Sequence, residues 1–189
     1  MFAGVAGGSG RRTCAKPHLP SASDGCGDSR RILGRSGATG MLNPDFRDIL
    51  SAFLEEGVEF LLVGAYALAV HGVPRATGDI DLWVRPSESN ADKVLRALAA
   101  FGAPVSDIRP DDLRLPDAVL QIGVVPRRID ILTTLDAVEF EDAWRNRTEV
   151  EVEGLSIPVI GRRDLIRNKK AVGRAQDMAD VARMEDGRD

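Results

Sequence analysis

The chain has 189 residues, 43% hydrophobic and 29% charged, which is ordinary for one globular domain with a sizeable core. Its net charge of −4 conceals a split: residues 1–40 carry six basic against two acidic side chains (+4), and the remaining 19 basic and 27 acidic groups set residues 41–189 at −8. An acidic body argues against broad non-specific nucleic-acid binding while leaving room for a local basic groove, and no apolar run approaches the roughly 18 residues of a membrane-spanning helix.

Residues 1–40 hold nine of the 19 glycines and show no helical or strand period, so they offer little apolar area to offset ordering entropy. They read as a disordered leader or an over-extended start, with a single domain over 41–189. A basic nucleic-acid arm is the alternative; no apolar segment follows Arg11-Arg12, which excludes a secretory or twin-arginine signal. Both cysteines, Cys14 and Cys26, lie in this stretch, and the cysteine-free body fits a reducing, cytoplasmic compartment.

From Asn43 the pattern changes. Asn43-Pro44-Asp45 is a helix start, and Phe46, Ile49, Leu50, Phe53 and Leu54 recur at helical spacing up to Gly57. Val58–Val63 reads as a buried strand ended by Gly64, Tyr66–Val70 as a short helix, and 79–84 as a second strand. Ser87 opens a long helix that ends at Gly102, and 104–117 is loop with about one helical turn. Strands at Ala118–Val124 and Arg128–Thr133, a helix over Phe140–Arg147, and a hairpin of Glu149–Glu153 with Leu155–Ile160 follow. Two helices, 162–171 and 175–186, close the chain around Gly173. Helices and strands mix without strict alternation, which predicts an α+β fold with a mixed sheet.

The strand Asp79-Ile-Asp-Leu-Trp-Val84 places Asp79, Asp81 and Trp83 on one face and Ile80, Leu82 and Val84 on the other. Two carboxylates about 7 Å apart on a strand face suit a hard cation better than a core. Spacing alone decides little in a chain rich in aspartate. The setting decides more, because Asp is disfavoured within an apolar strand and costly to bury unpaired. Asp130 repeats the oddity between Ile129 and Ile131. Three such carboxylates on neighbouring strands would form a divalent-cation site; unrelated solvated aspartates at sheet edges are the alternative. Gly64-Ala65 at a strand-to-helix turn would let backbone amides approach phosphate oxygens. Arg162, Arg163, Arg167, Lys169, Lys170 and Arg174 form a basic cluster that either serves a triphosphate or nucleic-acid acceptor or pairs with Asp164, Asp177 and Asp180. Trp83 either borders a nucleotide or packs in the core, and His71 reads as a helix-end residue.

Val63-Gly-Ala65, Arg75-Ala-Thr-Gly-Asp-Ile-Asp81 and Ile129-Asp-Ile131, in that order, resemble the DNA polymerase β-type nucleotidyltransferase superfamily, and within it the small bacterial nucleotidyltransferases related to AbiEii toxins. Asn168–Asp180 resembles that group's closing helices, so the resemblance spans about 43–186. It implies a nucleotidyltransferase-type mixed sheet flanked by helices, with C-terminal helices. It also implies Mg²⁺ (Mn²⁺ as the alternative) and transfer of a nucleoside monophosphate from an NTP to an RNA, protein or small-molecule acceptor. An antitoxin partner and a toxin role come with it. By the same resemblance Asp79, Asp81 and Asp130 would be catalytic and hold metal, and Gly64, Ala65, Tyr66, Arg75, Thr77, Lys169 and Lys170 would bind the nucleotide. Ala65 departs from the family's usual Gly or Ser at that place, which removes a hydroxyl contact and leaves the amides. A non-catalytic nucleotide-binding or partner-binding module is the rival reading.

Overall fold

The computed structural model describes residues 11–14, 42–124 and 126–186. Within the expected leader only Arg11–Cys14 is described, and it forms a strand, β1, where the sequence carries no strand period; the rest of that stretch lies outside the described residues. Helix α1 (Pro44–Glu55) starts as the sequence predicts: the Asn43 side chain accepts the Asp45 amide at 3.0 Å, and Pro44 occupies the first turn, where its missing N–H is not needed. The next elements are β2 (Phe60–Val63), α2 (Gly64–Val70) and β3 (Asp79–Val84). Helix α2 begins two residues earlier than predicted, because Gly64 at φ +65° turns the chain directly from strand into helix.

Ser87 caps α3 (Glu88–Ala100), and a single helical turn at Pro110–Leu113 interrupts the loop beyond it. Strands β4 (Val119–Ile122) and β5 (Arg128–Leu132) precede α4 (Phe140–Arg145). β6 (Thr148–Val152) and β7 (Leu155–Val159) form the expected hairpin, with Glu153 and Gly154 both at positive φ, the geometry that matches strand twist. Helices α5 (Arg162–Val172) and α6 (Ala175–Asp186) pack on each other, separated by Gly173 in the left-handed conformation.

The strands form one mixed sheet in the order β1-β4-β5-β3-β2-β7-β6. Parallel pairs are β1 with β4, β3 with β5 and β2 with β7; the others are antiparallel. The fold is therefore α+β, a mixed sheet flanked by helices, as the unsystematic order of elements predicts. Ile80, Leu82 and Val84 are at most 1% exposed and join the core with Phe46, Ile49, Phe53 and Leu98 from α1 and α3. That burial holds β3 rigidly in the middle of the sheet and leaves its opposite face to the aspartates. Among the described residues no helix is long and apolar enough to cross a membrane.

Candidate active site

Parallel pairing of β3 with β5 sets Asp81 directly opposite Asp130 and Asp79 opposite Arg128. Residues opposite one another on neighbouring strands share a face, so the three predicted aspartates lie on one face of two paired strands although nearly fifty residues separate Asp81 from Asp130. Their charges are held together by Arg128. Its guanidinium donates to Asp79 Oδ2 at 2.6 Å, and to Asp130 Oδ1 and Oδ2 at 2.8 and 3.0 Å. Hydrogen bonding to Asp130, against the cost of partial burial, keeps Arg128 protonated. Gln121 on β4 donates to both oxygens of Asp130 at 3.2 and 3.3 Å, and Thr77 donates its hydroxyl to Asp79.

Asp81 has a different surrounding. Neither Arg128 nor Gln121 hydrogen-bonds to it, and its carboxylate packs against Gly64: a Cβ at position 64 would stand 1.9 Å from Asp81 Oδ2. Only glycine fits, both for that approach and for the positive φ. Burial first, then the neighbouring charges of Asp79 and Asp130, push the Asp81 carboxyl up to about 7, with Arg128 and Arg75 opposing them. Tyr66 is drawn in as well; burial and then the charge of Asp79 raise its phenol, and its ring meets Phe46 edge-on at 5.8 Å. Ala65 is buried, so at that place only backbone is offered.

The basic cluster divides. Lys169 is 5% exposed and its ammonium is committed to Asp177 at 2.9 Å and Asp180 at 2.8 Å, both buried. Lys169 thus takes the pairing alternative with Asp177 and Asp180, as the centre of a buried ion cluster that joins α5 to α6. Arg174 adds a 2.6 Å bond to Asp177, and Arg75 approaches Asp180 at 3.5 Å. Burial pushes the Asp177 carboxyl up, but the bonds from Arg174 and Lys169 outweigh it and hold the group below its ordinary value. Since Arg75 and Arg174 also feel the charge of Asp81, this cluster borders the carboxylates electrostatically. Lys170 points elsewhere and pairs with Glu185 at 2.7 Å. Arg162, Arg163 and Arg167 line a separate polar cleft with His71.

Trp83 takes the packing alternative. It is 1% exposed and meets Phe140 of α4 edge-on at 5.0 Å, which closes the far end of the aspartate face; its indole N–H has no acceptor among the described residues. His71 ends α2, as expected, and its Nε2 lies 2.8 Å from the Ile160 carbonyl oxygen, an arrangement in which Nε2–H donates. Two site residues escaped the sequence reading, Arg128 and Gln121. The signal was present: each is a polar residue in an apolar strand, and Arg128 lies two positions before Asp130, on the same face.

Among the described residues no three His, Cys, Asp or Glu side chains converge tightly enough to cage a metal. Arg128 supplies the positive charge between Asp79 and Asp130. The donor set nevertheless suits a hard divalent cation, because it is all carboxylate oxygen and because burial, then the charges of Asp79 and Asp130, raise Asp81 in the way a bound cation would relieve. Such a cation would compete with Arg128 for the same oxygens.

No protein-family model matches the chain, and no curated protein matches it in sequence. Among solved structures, a Thermotoga maritima protein described as a "putative nucleotidyltransferase" is similar, at 17% identity and a TM-score of 0.49, covering 78% of this chain and 97% of that one.

Proposed function

We propose that this protein is a divalent-cation-dependent nucleotidyltransferase. The observation that carries the reading is the register that sets Asp81 against Asp130, with Gly64 shaped to admit Asp81. Mg²⁺, with Mn²⁺ as the alternative, would be held by Asp79, Asp81 and Asp130 and would neutralise phosphate charge and acidify the acceptor hydroxyl. The acceptor oxygen attacks the α-phosphorus of the NTP, forming one O–P bond as the bond to the bridging oxygen breaks. Pyrophosphate leaves, and the proton passes to Asp130. The first-turn amides of α2, at Gly64, Ala65 and Tyr66, have no acceptor within the helix and would be offered to the phosphates. Thr77 fixes the Asp79 carboxylate, and Arg75 adds positive charge beside Asp81. Lys170 would have to leave its exposed pair with Glu185 to serve a nucleotide, whereas Lys169 acts on the site through the helices it holds.

The resemblance in sequence extends this to a toxin-type enzyme with an antitoxin partner. The test is incubation with each labelled NTP, Mg²⁺ and either total RNA or cell protein. Label transfer is expected with the native chain and lost in Asp79→Ala, and the same substitution is expected to relieve growth arrest on expression in a bacterial host. NTP binding without transfer to any acceptor would instead establish the non-catalytic module, a reading that Ala65 favours because no hydroxyl is offered at that turn.

Gly64→Ala tests the geometry directly. The added methyl would collide with Asp81 and sit at a φ that costs an L-residue about 1–3 kcal/mol. Transfer is expected to fall about 100-fold, as for other displacements near 1 Å, and the melting temperature to drop by several degrees. Wild-type kinetics in this variant would refute the packed Gly64–Asp81 contact.

A further inference from the structure

A second charged surface lies at the same end of the strands, and the carboxylate site does not use it. β7 runs parallel to β2 with Val159 opposite Leu62, and the Ile160 amide donates to the Leu62 carbonyl at 3.1 Å. Gly161 and the start of α5 therefore emerge beside Gly64, two strands from Asp81, or about 10 Å at ordinary strand spacing. There, His71, Asn146, Thr148, Arg162, Arg163 and Arg167 line a cleft of about 470 Å³. Gly161 makes its wall compact, since a Cβ there would stand 2.4 Å from the Asn146 carbonyl oxygen.

Charge distinguishes this cleft from the rest of the body. Arg47, Arg75, Arg85, Arg96, Arg128 and Arg174 each pair with a carboxylate. The guanidinium groups of Arg162, Arg163 and Arg167 make no ion pair or hydrogen bond among the described residues. One carboxylate, Asp164, lines the cleft; it is buried and accepts from Asn146 Nδ2 at 3.2 Å, so three arginines face a single acid. An excess of unpaired arginines in a protein of net charge −4 is a local attractor for anions. Apart from the His71 ring, its lining side chains are hydrophilic, with no Leu, Ile, Val, Phe, Tyr or Trp to anchor a peptide.

We infer that this cleft holds the phosphate backbone of a single-stranded nucleic acid, the acceptor strand of the reaction proposed above. Arginine forks match phosphate oxygens bidentately, and the hydroxyl of Thr148 and the amide of Asn146 add donors. A separation of about 10 Å from Asp81 lies within reach of the few nucleotides nearest the end of a single strand. The strand is thus gripped just behind the end presented to the carboxylates. The assignment of the strand as acceptor rests on the nucleotidyltransferase reading; the binding itself does not.

The experiment measures binding of fluorescein-labelled oligouridylate and oligothymidylate to the full chain by anisotropy across a salt series. The comparison is with the double variant Arg163→Gln/Arg167→Gln, whose exposed side chains can change without disturbing the core. The variant is expected to bind at least about tenfold more weakly at low salt, with the slope of log affinity against log salt reduced by about 1.4, at an unchanged melting temperature and unchanged NTP binding. Equal affinity and slope in the two proteins would overturn the assignment, as would no strand binding by the native chain. A cleft that takes only inorganic phosphate, or takes polyglutamate as tightly as the oligonucleotide, would overturn it too. Asp79→Ala is expected to bind the strand normally. A failure of transfer chemistry with strand binding intact therefore counts against the enzyme reading alone.

Discussion

Asp81→Asn is expected to make the protein more stable and inactive at once. The folded carboxyl at about 7 is raised above its ordinary 3.8 by burial and then by Asp79 and Asp130. For a group raised in this way, the stabilising contribution is present at pH below the unfolded value and is lost as pH climbs through the folded one. In metal-free buffer the native chain should therefore lose stability between pH 4 and 7 and stay reduced above it. The isosteric amide carries no charge and escapes that loss. At pH 8 the variant should melt about 5 °C higher, a figure consistent with a change of one to a few kcal/mol in a domain of this size, and the gap should close toward pH 4. Added Mg²⁺ should raise the melting temperature of the native chain by mass action and leave the variant largely unmoved, while transfer disappears. Equal or lower stability of Asp81→Asn at pH 8 would mean that neither burial nor the neighbouring carboxylates penalise the Asp81 charge. Opposite signs for stability and activity are what a functional cluster of like charges produces.

Lys169→Met should cost about 3 kcal/mol or more. Removing the ammonium leaves Asp177 and Asp180 buried, at 3% and 0% exposure, with their main counter-charge gone. Breaking one partner of a buried pair typically costs about 3–5 kcal/mol, because the surviving charge keeps its desolvation penalty. Arg174, Gln176 and Arg75 remain near these carboxylates, which places the expected value at the lower end. Chemical denaturation at pH 7 measures it. The further change Asp180→Asn in the same chain should recover part of the loss, since it removes one orphaned charge. A Lys169→Met protein that unfolds like the native chain but binds NTP weakly would reverse the assignment and restore Lys169 to the triphosphate.

Three carboxylates could be picked out in the sequence because each breaks a local rule: an aspartate in an apolar, β-branched run is out of place unless something uses it. Gly64 was legible for the same reason, standing where a strand must turn into a helix. Arg128 and Gln121 break the same rule, but an arginine at a strand end and one glutamine in a strand have ordinary solvated explanations. Only the pairing of β5 with β3 and β4 shows that both donate to aspartates. The basic cluster went the other way. Composition marks a basic cluster along α5, yet it cannot tell that Lys169 is sealed between two aspartates of α6 while Arg163 and Arg167 look into a cleft.

The sequence by itself determined what short-range physics controls. It set the helix starts at Asn43 and Ser87, the hairpin turn at Gly154, the left-handed stop at Gly173, and the alternation that puts Asp79 and Asp81 on one face. Each of those depends on contacts within a few residues. The tertiary structure decided the strand order that brings Asp130 beside Asp81, the closure of Trp83 under Phe140, and the partner of every buried charge. Those outcomes depend on which distant segments bury apolar area together, and a side chain's neighbours across a sheet or between two helices are not encoded in its own stretch of chain.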